Sequence, residues 1–281
     1  MSGGIAGIAV REWRTRRRLS QMELAHQLGV SPRHLSFVET GRANPSRALL
    51  LRIGESLDLP LAARNRLLLD GGYAPVFGEH TLDAERMRPV KAAVDSVLAG
   101  HAPYPAVVTD ACWNLIAGNV GCVVLAEGVD PELLRPPINV MKLCLHPRGL
   151  AQRLLNRAEV HSAILGRVRR HAQATAAPDI RRLYEELSSY PAPRGAHRGE
   201  QTGELYVPFR MVTLDAAELS FVSTIATFGS PLDISVESLI IESFFPADPA
   251  TADYLHNLDT DQRLRAVAQQ QPQVLPYLGS R

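Results

Sequence analysis

The chain has 281 residues, of which 46% are apolar and 21% charged, with a net charge of +1; these are the proportions of a water-soluble globular protein about two domains long. No run approaches the roughly 20 apolar residues that a membrane-spanning helix needs. The three cysteines, Cys112, Cys122 and Cys144, are widely spaced and form no C-x-x-C, which excludes a disulfide framework or a zinc site and leaves them as small buried apolar residues.

In chain order, Ile5, Ile8, Ala9 and Trp13 mark a first helix whose outer face is Arg11, Arg14, Arg17 and Arg18. Gln21 to Leu28 repeats apolar residues at Met22, Leu24, Ala25 and Leu28, the one-sided spacing of a short amphipathic helix. Gly29 stops it and Val30 fills the turn. Ser31 then offers an N-cap oxygen and Pro32 a pre-set φ, so a second helix starts abruptly. Its inward residues are Leu35 and Val38, which leaves Arg33, His34, Ser36 and Phe37 facing elsewhere. Two helices joined by a tight turn containing Gly make the helix-turn-helix layout. A loop over Thr40 to Pro45 leads to a fourth helix from Ser46, with Leu49, Leu50, Ile53 and Leu57 inward. Pro60 opens a fifth helix, with Ala63, Leu67 and Leu68 inward, ending at Gly71-Gly72. Residues 76–89 read as a linker.

Beyond it, Val90, Ala93, Val94, Val97 and Leu98 give a helix stopped at Gly100. Strands are expected over Ala106–Asp110 and Cys112–Ala117, and helices over roughly 119–127, 149–175 and 179–189. The 191–202 stretch reads as a Pro/Gly/Arg loop. Three further strand-like runs follow, Leu205–Leu214, Leu219–Phe228 and Leu239–Phe245, the first two joined as a hairpin by residues 215–218. Antiparallel strands with helices inserted between them describe an α+β domain with one face covered. Charge divides the same way. Residues 1–75 hold 11 Lys/Arg against 6 Asp/Glu, and the remainder 19 against 23; a basic head on an acidic body suits one nucleic-acid-binding domain and one with another task.

Residues 8–70 resemble the lambda-repressor-like DNA-binding domain of the XRE group, through LSQMELAHQLGVS, the FVETGRANPS loop and the LLRIGESLDL helix. Residues 90–255 resemble the MmyB-like ligand-binding domain of bacterial regulators, through YPAVVTDACWNLIAGN, INVMKLCLHPRGLAQRLLNRAEV, VPFRMV and the long string from Leu219 to Leu255. The resemblance implies an all-α helix-turn-helix domain over 1–75, a linker over 76–89 and an α+β, PAS-like domain over 90–275 that holds a lipophilic effector such as a fatty acid. Two positions depart from the family pattern: Arg157, where relatives tend to carry an apolar or aromatic residue, and Ala226, where Thr is common.

For the DNA-binding half, Arg33 is the expected base reader, because its planar fork can take guanine O6 and N7 together. Ser36 and Phe37 are candidates for base contact. Ser31 and His34 belong to the same helix start, and Gln21, Arg42 and Asn44 are phosphate candidates. Arg14 and Glu39 occupy positions that pair in this repressor class. For the effector, the expected wall is Trp113, Leu115, Leu143, Leu145, Leu155, Phe209, Met211, Phe221 and Phe228, between the sheet and the 149–175 helix, with His146, Asn156 and Arg157 at a carboxylate head. Both faces of 219–228 carry apolar residues, and Phe221 is read as inward together with Phe209 and Met211. Asp233, Glu237 and Glu242 are read as a strand-to-helix cap and a solvated face.

No Walker A string, H-E-x-x-H, G-x-S-x-G or dinucleotide fingerprint is present, so no enzyme, metal or required cofactor is expected. The opening MSGGIAGIAVREW lacks a basic n-region, and a cytoplasmic location is expected. The reading is a homodimeric regulator that binds a double-stranded DNA operator and senses a lipophilic small molecule, with no membrane partner. The alternative is a DNA-binding regulator whose second domain serves only dimerisation or docking.

Overall fold

The computed structural model describes residues 3–175, 177–193 and 206–278. Most of the loop expected at 191–202, and the first residue of the strand expected from Leu205, lie outside the described residues. The chain divides into two compact units, residues 1–81 with 229–237, and residues 82–228 with 238–281.

The first unit holds α1 (Gly3–Arg16), α2 (Gln21–Gln27), α3 (Pro32–Glu39), α4 (Arg47–Ser56) and α5 (Leu61–Asp70). Three helix starts are capped by serine. Ser31 Oγ accepts from His34 N, Ser46 Oγ accepts from Leu49 N, and Ser20 forms a reciprocal capping box with Glu23. Gly29 ends α2 region with φ +63°, the conformation that glycine adopts without a Cβ penalty. Leu24, Ala25, Leu28, Leu35, Val38, Leu50, Ile53 and Leu68 make a single buried cluster.

Two expectations about the inward faces change. Helix α1 turns Ala6 and Val10 inward, while Ile5 and Ile8 stay 56% and 58% exposed. The reason is distance. α1 crosses α3 so closely that a Cβ on Gly7 would lie 2.0 Å from the Val38 carbonyl oxygen, so only the small-residue face of α1 fits there. Met22 is likewise 69% exposed, since Leu24, Ala25 and Leu28 already occupy the inward side of the seven-residue α2.

Helix α5 has Pro60 at its N-cap and no side-chain cap of its own. Its first N–H, that of Leu61, donates instead to Glu237 Oε2 at 2.8 Å, a carboxylate 176 residues away; negative charge at that end also suits the helix dipole. Asp233 meets His80 at 2.6 Å and Ile234 N donates to the Gly78 carbonyl, so 229–237 is held along the 78–80 strip. Burial works against ionisation of Asp233, yet the bonds from His80 and from the Ser235 amide hold its pKa below the ordinary carboxylate value. Asn65 bonds Val76 N, Phe77 N and the Phe77 carbonyl, which makes the first residues of the expected linker part of this unit.

The second unit runs α6 (Arg88–His101), β1 (Ala106–Thr109), β2 (Leu115–Gly118), α7 (Val123–Ala126), α8 (Val140–Leu145), α9 (Arg157–Thr175), α10 (Pro178–Ser189), β3 (Phe209–Val212) and β4 (Glu218–Ala226). After the short α11 (Ile234–Ser238), which belongs to the first unit up to Glu237, the second unit resumes with β5 (Ile240–Pro246), α12 (Pro249–His256) and α13 (Thr260–Gln270). The strands form one antiparallel sheet in the order β2-β1-β5-β4-β3. With the helical first unit, this makes an all-α domain followed by an α+β domain.

Successive residues of a strand face opposite sides of the sheet, and both sides are covered near β1. Val108 and Ile241 pack with Val94 and Leu98 of α6. Val107, Met211, Leu219 and Phe221 face the other way, into a core with Val123, Leu150, Val160 and Leu255. The two-sided ambiguity of 219–228 is thereby resolved: Phe209 pairs in register with Phe221 and Met211 with Leu219, all on the inner side.

The second expected strand is shorter at its start than Cys112. The Asp110 carboxylate accepts from Cys112 N, Asn114 N and Asn114 Nδ2, and Trp113 takes φ +61°, so 110–114 closes a turn. Helix α8, capped by Asn139, was not anticipated. The long helix begins only at Arg157, because Arg153 and Leu155 instead exchange backbone bonds with Val212 and Arg210 along β3.

Candidate DNA-binding face and effector cavity

In the first unit, Ser31, Arg33, His34, Arg42 and Asn44 are exposed, and Gln21, Ser36 and Phe37 are half-buried. The Arg33 guanidinium lies 5.4 Å from the centre of the Phe37 ring, a cation–π contact that steadies the fork at the helix surface. Ser31 spends its hydroxyl oxygen on the His34 amide. The loop carrying Arg42 and Asn44 is ordered by the Phe37 carbonyl, which accepts from both Arg42 N and Ala43 N.

Behind this surface, Glu39 is 1% exposed and ringed by donors. Arg14 reaches it in a bidentate fork at 2.6 and 2.9 Å and gives a third N–H to the Leu19 carbonyl at 2.7 Å. Gln21 Nε2 donates to Glu39 Oε2 at 2.7 Å, so one amide N–H of this phosphate candidate is committed inward. Burial opposes ionisation of Glu39, but the bonds from Arg14 and Gln21 outweigh it and hold its pKa below the usual range. Arg14 is therefore not on the outer face of α1.

In the second unit, a cavity of about 140 Å³ opens between the inner face of the sheet and α8 and α9. Leu115, Val107, Phe209 and Phe244 line it from the strands, Leu143 from α8, and Val160, Ala163 and Ile164 from α9. Its wall is broken by a few polar groups: Arg167, Glu242, Cys144 and Ser223. Arg167 Nη1 donates to both Glu242 oxygens, at 3.1 and 3.3 Å. Burial pushes the Cys144 thiol up to about 12, as it does for Cys122.

Of the residues expected to contact an effector, Leu115, Leu143 and Phe209 line this cavity. Met211 and Phe221 are fully buried in the core behind it, where Phe221 meets Phe244 edge-on. Trp113 and Leu145 belong to a separate cluster with Val168, Ile180, Leu183 and Leu187, and Phe228 packs on the α6 side of the sheet. Leu155 is 45% exposed. His146 stacks edge-on against Tyr190, and burial together with Arg148 lowers its pKa. Asn156 ties α9 to β3 through the Pro208 carbonyl and Arg210 N, and half-buried Arg157 reaches the Pro191 carbonyl at 3.5 Å.

The polar residues of the cavity were missed. Arg167 ends a stripe with Val160, Ala163 and Ile164 at helical i, i+3, i+4, i+7 spacing, which is the one signal that points to it. Glu242 is no solvated residue. It alternates with Phe244 on the inner face of β5, and its carboxylate is retained there by Arg167. Glu237, also read as solvated, serves as the cap of α5. Among the described residues no group of three or more His, Cys, Asp or Glu could hold a metal ion, and no helix is long and apolar enough to cross a membrane.

A helix-turn-helix unit joined to a separate unit with an apolar, polar-flecked cavity defines a DNA-binding regulator with a ligand-binding domain. Comparison with known families agrees: residues 5–67 match a helix-turn-helix domain, and residues 90–258 match the MmyB-like transcription regulator ligand binding domain. The chain belongs to the MmyB-like transcription regulators, and it is not an enzyme. Among solved structures, the clp gene regulator ClgR from Corynebacterium glutamicum is similar at 23% identity, over 37% of this chain and 96% of that one, with a TM-score of 0.23. No curated protein matches.

Proposed function

We propose that the protein is a cytoplasmic, homodimeric regulator of the XRE type whose DNA affinity is set by a lipophilic small molecule, a fatty acid or a related aliphatic amphiphile, held in the second unit. The observation that carries this reading is the cavity: hydrocarbon walls contributed by four strands and by helices α8 and α9, with one ion pair as its main polar feature. Such a lining suits a chain-like ligand with a single polar end. The strand order 2-1-5-4-3 supports a PAS-like reading of the domain. On the DNA side, Arg33 reads base edges with help from Ser36 and Phe37, while Arg42, Asn44 and the start of α2 at Gln21 meet phosphates. One recognition helix covers only a few base pairs, so binding as a dimer to half-sites about 34 Å apart supplies the affinity.

The test begins with mass spectrometry of solvent extracts of the purified protein, followed by titration with acyl compounds of increasing length. Each buried methylene contributes about 0.8 kcal/mol, so affinity should climb with chain length until the cavity is full. Ser223→Phe, which fills the cavity from β4, should abolish that binding and fix operator affinity at one value. A second domain used only for dimerisation or docking would give empty extracts, no chain-length trend and no effect of the substitution.

A further inference from the structure

We infer that the cavity takes the polar end of its ligand as an uncharged group, an alcohol, an amide or a protonated carboxylic acid, hydrogen-bonded between Arg167 and Glu242. This rests on the effector reading above and specifies its chemistry.

Among the described residues, the charges facing the cavity cancel. Arg167 from α9 and Glu242 from β5 lie 3.1 Å apart, and the pair is only partly open, with side-chain exposures of 33% and 13%. Among the described residues the other titratable side chains on the wall are Cys144 from α8 and Cys122 from the turn before α7, both with thiols raised to about 12 and hence neutral. Ser223 from β4 is a neutral hydroxyl, and the remaining lining is apolar. The guanidinium is thus not a vacant anion site.

A carboxylate could reach Arg167 only by sharing it with Glu242 or by displacing it. Either arrangement leaves a surplus negative charge in an apolar enclosure, and such a charge is removed by taking up a proton. A hydroxyl or amide meets no such obstacle. Its oxygen accepts from the Arg167 N–H, and its own O–H or N–H donates to a Glu242 oxygen, so the existing pair widens into a bridged one with every group satisfied. A fatty acid can make the same bridge only as the neutral acid, or beside a protonated Glu242. One proton is then bound with it.

The experiment uses the full-length protein, displacement of the neutral fluorescent probe N-phenyl-1-naphthylamine, and three ligands of one chain length: 1-decanol, decanamide and decanoate. Between pH 6.5 and 8.5, decanol and decanamide should bind with constant affinity. Decanoate should bind more weakly and lose about tenfold per pH unit, as expected when a ligand ionised in solution must bind with one proton. Calorimetry in two buffers of different ionisation heat should report uptake of about one proton for decanoate and none for decanol. Glu242→Gln keeps the shape and leaves Arg167 as an unopposed cation; decanoate should then gain about tenfold or more and lose its pH dependence, while retained decanol binding shows that the fold is intact. Decanoate binding to the wild type as tightly as decanol, with a flat pH profile and no proton uptake, overturns the inference while leaving the effector reading in place. If none of the three displaces the probe, the effector reading falls, and this inference with it.

Discussion

Replacing Arg14 with Ala removes three hydrogen bonds at once, two to Glu39 and one to the Leu19 carbonyl. What remains is a carboxylate that is 1% exposed and held by the single amide of Gln21. Removing one partner of a buried ion pair costs about 3–5 kcal/mol, because the other charge stays without compensation. For a unit of this size each kcal/mol corresponds to about 4–8 °C in Tm, so its transition should fall by at least about 12 °C. The chain has two tryptophans, Trp13 and Trp113; in a Trp113→Phe background, Trp13 fluorescence reports urea unfolding of the first unit alone. Glu39→Ala should cost a similar amount, and Arg14→Ala with Glu39→Ala clearly less than the two single losses together. The pH dependence has a definite sign. Glu39 has a depressed folded-state pKa, so its contribution is fully present above the ordinary carboxylate pKa and is lost as the pH falls through the folded value. Strict additivity in the cycle, or a wild-type advantage that survives complete acidification, would refute the argument that this pair anchors α1 to α3.

Arg33→Ala should cost about 1–3 kcal/mol on the best operator and flatten the preference among operators, whereas Arg42→Ala should weaken all sequences equally and lower the salt slope; equal, sequence-independent losses for both would remove Arg33 from the role of reader. Gly7→Ala would ordinarily stabilise a helix by about 0.5–1 kcal/mol, but here the new Cβ lies 2.0 Å from a backbone oxygen, so differential scanning calorimetry should show a destabilisation of about 1–3 kcal/mol or more, and an unchanged or higher Tm would contradict the crossing. Asp215, bonded by Thr213, Tyr254 and Arg263, is held at about 2 by the Thr213 hydroxyl first and then by the other two, against some burial. Because the pKa is lowered on folding, the stability margin of wild type over Asp215→Asn should be full above the ordinary aspartate pKa and be lost as the pH falls through about 2; a margin independent of pH would show that the charge plays no part.

The helix-turn-helix was legible because its signals are local. Ser31-Pro32, Gly29 and the Leu35/Val38 spacing each act within a few residues, and none needs a distant partner to be understood. The hairpin of β3 and β4 was legible for the same reason, whereas the second covered face of the sheet was not: one covered face was expected, and α6 packs on the other through Val94 and Leu98. The inward face of α1 was not, since hydropathy favours Ile5 and Ile8 while the helix crossing favours the small side chains beside Gly7. The polar floor of the cavity was harder still. Arg167 and Glu242 are 75 residues apart; the apolar stripe that Arg167 ends marks its face of α9, but Glu242 looks like an ordinary surface charge on its strand. Only the fold, which sets α9 and β5 on the wall of one cavity, brings them together, and the sequence carries no signal of that pairing. Trp113 shows the opposite error: large and apolar, it is spent on holding α9 and α10 in place, and does not reach the cavity.

The strip 229–237 leaves the sheet after β4, caps α5 with Glu237, meets His80 with Asp233, and returns as β5. The polypeptide therefore passes between the two units three times, at 81–82, 228–229 and 237–238. A protease nick or a stop codon after residue 81 would release a fragment whose Leu61 amide has lost its carboxylate and whose His80 has lost its partner. The same holds in heredity. Regulators that diversify by trading whole heads and bodies need a join that one crossover can cut, and here a recombinant carrying only the first 81 codons inherits a DNA-binding unit with a piece left behind in its former host.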